Sequence, residues 1–192
     1  MRRSINVGLV IVGVVSLIVL TSSVCYAQKL AKRIFIQATA MGTSTQLGRN
    51  ASVNLIINEL GTDAERQGLI EAFQSKGNEG LINALSKMKS KGRMQITGTL
   101  GYDVAWAKLL TQPDGTTILR MVTDRPLRFG EVWADSRSSD YELSVVEIVI
   151  PKDRKKITGM LYPASKLKMN KKGVLELELY QNPWKLVNIM KR

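Results

Sequence analysis

The stretch ITGMLYPASKLKMNKKGVLELELY, residues Ile157–Tyr180, decides the fold class of this chain. From Leu175 to Leu179 leucine alternates with glutamate, and a period of two is typical of a half-buried β-strand. The segment before it has the length of a second strand, in which Pro163 predicts a bend or an edge position. Asn-Lys-Lys-Gly lies between the two segments and predicts a turn. The C-terminal part of the chain is therefore expected to be antiparallel β-structure.

The same alternation predicts further strands along the chain. The segments are 32–40, 52–60, 94–100, 103–110, 116–123 and 141–150, and residues 182–189 close the domain. Pro113-Asp114-Gly115 predicts a turn between the fourth and fifth of them. The alternation changes phase at Val145-Val146, and a β-bulge there would keep both sets of apolar side chains facing the core.

Two helices are predicted between the second and third strands. The sequence TDAE at Thr62–Glu65 is a capping box that starts the first helix, and Gly77 is suited to end it. Apolar side chains at helical spacing predict the second helix, whose end is rich in lysine up to Lys91. The two helices should form a hairpin over about residues 62–91.

The predicted fold class is α+β and mostly β. We expect an antiparallel β-barrel or sandwich of about eight strands, with the helical hairpin inserted after the second strand. The hairpin should cover one face or one end of the sheet. Residues 28–192 are long enough to form a single β-rich domain with a real core.

The N-terminal segment has the layout of a secretory signal peptide. An Arg-Arg pair precedes the apolar run Val7–Leu20, and Cys25–Ala27 resembles a cleavage site. Residues 1–27 are therefore predicted to be removed near Ala27, which places the protein in the periplasm or outside the cell. An uncleaved membrane anchor and a lipidated cysteine at position 25 are the alternatives.

The content of cysteine and histidine excludes many kinds of site. The chain has one cysteine, inside the predicted signal peptide, and no histidine. After cleavage no disulfide, no zinc or copper site of the usual Cys/His kind and no histidine-based catalytic triad could form. Catalysis would have to use carboxylates, lysine or tyrosine. Because the usual catalytic and metal-binding side chains are missing, we expect no cofactor, no metal and no catalytic residue.

The formal net charge of +12 predicts attraction to polyanions. The excess charge lies mainly in the segments KMKSKGR, PKDRKK and KLKMNKKG, each of which could also be a solvated turn or helix end. Export makes nucleic acid an improbable partner, and few aromatic residues accompany the lysines. Anionic lipid head groups or envelope polymers are the expected partners.

The most polar stretch, Val122–Glu142, provides the candidate binding site. It is long for a connection between two strands, and long loops are often functional. Its arginines could bind an anionic group while a tryptophan supplies a flat apolar surface. A loop held by its own ion pairs is the alternative. The candidate ligand-binding residues are Arg125, Arg128, Glu131, Trp133, Asp135 and Arg137.

Four stretches resemble a family of small exported bacterial proteins of uncharacterised function. They are ATAMGTSTQLGRNASVNLIIN, ALSKMKSKGRMQITGTLGYDV, VTDRPLRFGEVWADSRSSDYELSVVE and ELYQNPWKLVNI. The resemblance covers about residues 38–189. It implies export and a bacterial envelope or extracellular setting, and it implies no activity, cofactor or catalytic residue.

These observations favour a non-catalytic binding module for a small or lipid-like anionic ligand, or for an anionic envelope surface. A structural envelope protein without a ligand and a carboxylate-dependent hydrolase are the alternatives. A ligand binder requires a cavity, whereas a structural protein would fill the same space with side chains. The side chains expected to line such a cavity are Met94, Ile96, Leu100, Met160, Leu175 and Leu177.

Overall fold

A computed structural model describes residues 29–127, 141–171 and 175–192. Within these ranges the chain forms ten strands, one α-helix, α1 (Asp63–Ser86), and a short 3-10 helix at Ser44–Gln46. The strands are β1 (Lys29–Met41), β2 (Asn50–Glu59), β3 (Gly92–Ile96), β4 (Tyr102–Val104), β5 (Trp106–Thr111), β6 (Thr117–Thr123), β7 (Leu143–Ile150), β8 (Thr158–Met169), β9 (Leu175–Leu179) and β10 (Trp184–Lys191). The α+β, mostly β prediction is confirmed.

The ten strands belong to one antiparallel sheet that curls into a nearly closed barrel. Their order is β4-β3-β2-β1-β10-β8-β7-β6-β5, with β9 paired to β8 outside this path. The first and last strands of the order, β4 and β5, are separated in the chain by Ala105 alone. The Ala105 amide donates to the Val122 carbonyl at 2.9 Å, so the sheet closes through this residue. The structure therefore favours the barrel over the sandwich.

The interior of the barrel is filled with apolar side chains. Strands from all sides of the barrel contribute side chains with 0–1% exposure, including Val53, Leu55, Met94, Met121, Ile148, Leu161 and Leu186. Burial of this kind contributes about 25 cal/mol per Å² of apolar surface and is the main force that holds the strands together. A ligand site is therefore expected outside the barrel interior.

Strand β7 faces two apolar layers rather than one. Val146 and Ile148 point into the barrel core, whereas Leu143 packs against the cluster that α1 forms on the outside. The expectation that both phases of this strand face the same core is therefore wrong. The irregularity itself lies in the neighbouring strand, because Leu143 pairs with Ser165 and Val145 with Tyr162, which leaves one extra residue in β8 near its proline.

Helix α1 begins as the sequence predicts. The Glu65 amide donates to Thr62 Oγ1 at 3.0 Å, and the Thr62 amide donates to Glu65 Oε2 at 2.7 Å, which completes the capping box. The helix is interrupted at Lys76 and Gly77, where Gly77 takes a φ of 60°. The predicted hairpin is corrected to one kinked helix, because its two halves follow each other without a connecting loop.

The C-terminal end of α1 also differs from the prediction. The helix ends at Ser86, and Lys91 lies beyond it as a buried residue with 2% exposure. The Lys91 ammonium is 2.6 Å from Glu59 Oε1 and 2.8 Å from Glu65 Oε1. A buried ammonium requires such carboxylate partners, and these two join the last residue of β2 to the first turn of α1.

The number of strands exceeds the predicted eight because one predicted strand is divided and the closing segment forms β10. The segment predicted as one strand over 103–110 is divided at Ala105 into β4 and β5. The segment predicted over 94–100 ends at Ile96, because Gly98 and Gly101 take φ values of 88° and 77° in a turn. The long strand through Pro163 and the strand pair β1–β2 are as predicted.

No helix in the described part of the chain combines the length and the apolar character needed to cross a lipid bilayer. The predicted signal peptide, residues 1–27, lies outside the described residues.

Candidate functional site

The β8–β9 hairpin has one apolar face and one charged face. Leu167 pairs with Leu177, and the pairs on either side of it bring Lys166 opposite Glu178 and Lys168 opposite Glu176. Side chains directly opposite each other in an antiparallel pair lie on the same face. The leucines of β9 therefore share a face with Leu167, and the lysines and glutamates occupy the other.

This hairpin leaves the wall of the barrel. Strand β10 pairs with β8 only at Gly159–Leu161, whereas β9 pairs with β8 at Ser165–Met169. The second half of β8 and the whole of β9 thus extend beyond the end of the β8–β10 pairing. The apolar face of the hairpin is the one that β9 presents to the space beside α1.

Helix α1 is attached to the hairpin through Asn78. Asn78 Nδ2 donates to the Leu167 carbonyl, and the Leu167 amide donates to Asn78 Oδ1, each at 2.8 Å. The side-chain amide thereby satisfies the backbone of β8 in the manner of a neighbouring strand. Asn78 directly follows the break at Gly77, so the kink in α1 positions this contact.

An apolar groove of about 570 Å³ lies between α1, the outer surface of the barrel and β9. Its floor is a row of cross-strand partners on β5, β6, β7 and β8, namely Trp106, Val122, Val145 and Tyr162. One wall is the helix, with Leu69, Ile70, Phe73, Leu81 and Leu85. The other wall is the hairpin, with Leu167, Leu175, Leu177 and Leu179. We call this space the α1–β9 groove.

The two walls of the α1–β9 groove meet at Leu167, which packs against the apolar cluster of α1, whereas the leucines of β9 lie across the groove from the helix. Leu175 is 44% exposed and Leu179 36% exposed, although both lie on the apolar face of β9. Leu69 and Phe73 on the helix are half-buried. Large apolar surfaces that stay in contact with water are costly and usually mark a binding site.

The floor of the groove carries one ion pair. Arg120 Nε donates to Glu147 Oε1 at 2.7 Å, and Arg120 Nη2 donates to the same oxygen. A guanidinium has five N–H donors, so this contact leaves several of them for another acceptor. Burial, and then the nearby Glu147 carboxylate, raise the pKa of Tyr162 beside the pair, so its hydroxyl stays protonated at neutral pH.

Two further charged side chains line the rim. Arg66 of α1 is exposed, and no carboxylate among the described residues lies within ion-pair distance of it. Glu176 of β9 accepts a hydrogen bond from Asn170 Nδ2 at 2.6 Å. With Arg120 and Glu147, the lining of the groove contains two cations and two carboxylates, so its net charge is zero. Any preference for a charged ligand must therefore come from the positions of the individual charges.

Arg125 is the one residue of the predicted loop site that the structure describes. Its side chain is exposed, and its carbonyl accepts from Thr123 Oγ1 at 2.6 Å and from Ser144 Oγ at 2.8 Å. Leu127 is fully buried in the barrel core, which anchors this arm of the loop. Arg125 is not part of the groove lining. The other predicted site residues, Arg128, Glu131, Trp133, Asp135 and Arg137, lie outside the described residues.

The predicted cavity residues separate into two groups. Leu175 and Leu177 line the groove, as expected for a ligand binder. Met94 is fully buried in the packed barrel, Ile96 packs against that core, and Leu100 is 87% exposed in the turn after β3. Met160 is half-buried and also lies away from the groove lining. The cavity is on the outside of the barrel rather than inside it, because the barrel core is full.

The sequence patterns do not predict that Arg120 and Tyr162 belong to a site. Arg120 and Tyr162 sit in ordinary strand patterns, and nothing near them in the sequence distinguishes them from other outward-facing residues. The spacing of apolar residues predicts the apolar faces of α1 and β9. It does not predict that the two faces lie opposite each other. In the described part of the chain, no three acidic or other metal-binding side chains lie close enough to hold a metal ion.

Comparison of the chain with protein-family models, with curated proteins and with solved structures yields no match.

Proposed function

We propose that this protein is an exported, non-catalytic binding module for a small lipid-like anionic molecule. The apolar tail of the ligand would fill the α1–β9 groove. The observation that carries this proposal is the pair of apolar walls, α1 and β9, which face each other across open space instead of packing together.

The size and lining of the groove support an apolar ligand. Small-molecule sites usually enclose about 300–1,000 Å³ and combine mostly apolar walls with a few polar groups. The groove, at about 570 Å³, lies within this range. Its walls are leucine, isoleucine, phenylalanine and valine, and its polar groups are concentrated at Arg120, Glu147 and Tyr162 on the floor.

The ion pair on the floor supports an acidic head group. The donors of Arg120 that Glu147 does not use could bind a carboxylate or a phosphate, and the protonated Tyr162 hydroxyl could donate to the same group. Arg66 at the rim offers a second cation for a longer ligand. The Glu147 carboxylate would repel an anion. An acidic head group is therefore preferred only if the hydrogen bonds from Arg120 and Tyr162 stabilise it by more than this repulsion costs.

A structural envelope protein is the second candidate, and the packed barrel interior favours it. It would leave the groove unoccupied. A carboxylate-dependent hydrolase has less support, because Glu147 is engaged by Arg120 and Glu176 by Asn170.

Native mass spectrometry of the protein recovered from the envelope or the medium tests the proposal. We expect the mass of residues 28–192 plus a small molecule that organic solvent releases, or uptake of one palmitate per chain when the protein is recovered empty. A protein that is recovered without a ligand and does not take up palmitate would contradict the binding role. A mass that still contains residues 1–27 would contradict cleavage of the signal peptide and leave the binding role standing.

A further inference from the structure

Two leucines outside the groove are the most exposed large apolar side chains of the described residues. Leu47 is 79% exposed in the β1–β2 loop, and Leu100 is 87% exposed in the β3–β4 turn. A single exposed leucine is common, but two on neighbouring turns require an explanation.

The β1–β2 loop holds Leu47 in a fixed position. The Gly42 amide donates to the Arg49 carbonyl at 2.9 Å, and the Leu47 amide donates to the Ser44 carbonyl at 3.1 Å. Gln46 is buried beneath the loop, and a Cβ at Gly42 would collide with its carbonyl oxygen. The loop is therefore closely packed, and Leu47 is at its surface.

The β3–β4 turn presents Leu100 in the same way. Thr99 Oγ1 donates to the Ile96 carbonyl at 2.8 Å, and Gln95 Nε2 donates to the Thr99 carbonyl at 2.9 Å. Gly101 takes a φ of 77° and packs against the backbone of Met94. Both leucines are thus displayed by turns that satisfy their own backbone groups.

The two turns lie at the same end of the barrel. Val53 pairs with Ile96 in the β2–β3 ladder, and the Thr97 amide donates to the Ser52 carbonyl at 2.9 Å, so the β3–β4 turn continues beside the start of β2. The β9–β10 connection joins this end, because Thr43 Oγ1 donates to the Pro183 carbonyl at 2.5 Å. We call residues 42–52, 95–102 and 180–185 together the leucine end.

The leucine end contains cations and no carboxylate. Its three segments include Arg49 and Lys185, with no aspartate or glutamate, and are otherwise rich in threonine, asparagine and glutamine. The adjacent Asp103 forms an ion pair with Arg93, with 3.4 Å between carboxylate oxygen and guanidinium nitrogen. The charges of these three segments would therefore attract an anionic layer.

We propose that the leucine end docks on an anionic lipid bilayer, with Leu47 and Leu100 inserted among the lipid chains. Isolated side chains projecting from separate turns suit a fluid apolar layer, whereas a protein partner would require a contiguous, well-packed interface core. Arg49 and Lys185 would lie at the level of the phosphates. This inference does not depend on the groove and adds a membrane surface as a partner.

A site-specific fluorophore tests the contact between the leucine end and the bilayer, whether or not residues 1–27 are removed. Leu47→Cys and Leu100→Cys are each made with Cys25→Ser and labelled with the polarity-sensitive dye NBD. Gln112→Cys, exposed in the turn after β5 at the opposite end, is the matched control. Vesicles of phosphatidylcholine with about one third phosphatidylglycerol should shift the emission to the blue at positions 47 and 100 and leave position 112 unchanged.

A second variant measures the contribution of the leucines. With the label kept at Ser44→Cys in the same loop, Leu47→Ser/Leu100→Ser should weaken vesicle binding at least about tenfold, because each leucine loses its burial in lipid. Met190→Ser, which removes an exposed methionine of β10, should have no effect. Equal dye responses at positions 47, 100 and 112, no response to anionic vesicles, or full binding by the double variant would overturn the proposal.

Discussion

Asn78 and Leu167 are joined by two hydrogen bonds of 2.8 Å, one in each direction between the side-chain amide and the strand backbone. This pair is the point at which the middle of α1 is attached to the hairpin that forms the other wall of the groove. It fixes the separation of the two walls, so its loss should change both stability and binding.

Asn78→Ala should lower the free energy of unfolding by about 1–3 kcal/mol, because the partly buried amide and carbonyl of Leu167 lose their partners. Urea unfolding measures this effect. Asn83→Ala, at an exposed position on the same helix, should change the free energy by less than about 0.5 kcal/mol. Equal effects of the two substitutions would show that the Asn78 contact is not a structural attachment.

Lys91→Met should be more destabilising than Asn78→Ala. It leaves the carboxylates of Glu59 and Glu65 facing each other without the ammonium between them, and breaking a buried ion pair costs about 3–5 kcal/mol. Both carboxylates are partly exposed, so we expect the lower end of that range. Lys89→Met, at an exposed position nearby, is the control, and urea unfolding is the measurement. A loss no larger than that of the control would contradict the account of this buried ammonium.

Glu65 should make stability depend on pH. Burial alone would raise its pKa, but hydrogen bonds from Lys91 and from the Thr62 amide outweigh burial and leave the pKa below its usual value of 4.5. A carboxyl with a lowered folded-state pKa stabilises the protein above its unfolded pKa, and this contribution is lost as the pH falls through the folded-state pKa. The difference in unfolding midpoint between the wild type and Glu65→Gln should therefore be largest near neutral pH and shrink in acid. A difference that is constant with pH would contradict this.

Arg120 should determine the preference for an acidic head group. Glu147→Gln combined with Arg120→Met removes both charges, so the loss of donors is not confused with repulsion by an unpaired Glu147. The double variant should bind cis-parinaric acid about tenfold more weakly and bind the corresponding alcohol as the wild type does. Fluorescence titration with both compounds is the measurement. An equal loss for acid and alcohol would mean that the pair shapes the groove without recognising charge.

The features that the sequence predicts correctly depend on neighbouring residues. The capping box at Thr62–Glu65, the Pro113-Asp114-Gly115 turn and the β1–β2 pair each follow from a few adjacent side chains. Gly77 is also the position at which the sequence predicts the end of a helix, although α1 continues beyond it as one kinked helix.

The features that it does not predict depend on distant parts of the chain. Lys91 looks like a solvated lysine until Glu59, 32 residues away, provides a carboxylate. The groove requires α1, the outer side of β5–β8 and β9 to come together, and no local pattern reports the separation of its walls. The outward-facing Leu143 of β7 is apolar because α1 covers it, and α1 lies more than 50 residues earlier in the chain.

The central claim is that the α1–β9 groove holds the apolar part of a ligand, and titration with cis-parinaric acid tests it most directly. The wild type should bind one molecule per chain saturably. Leu177→Gln, on the hairpin wall, should weaken binding about tenfold or more, whereas Met190→Gln, an exposed site on β10, should leave it unchanged. Equal binding by all three proteins, or no saturable binding by the wild type, would contradict the claim.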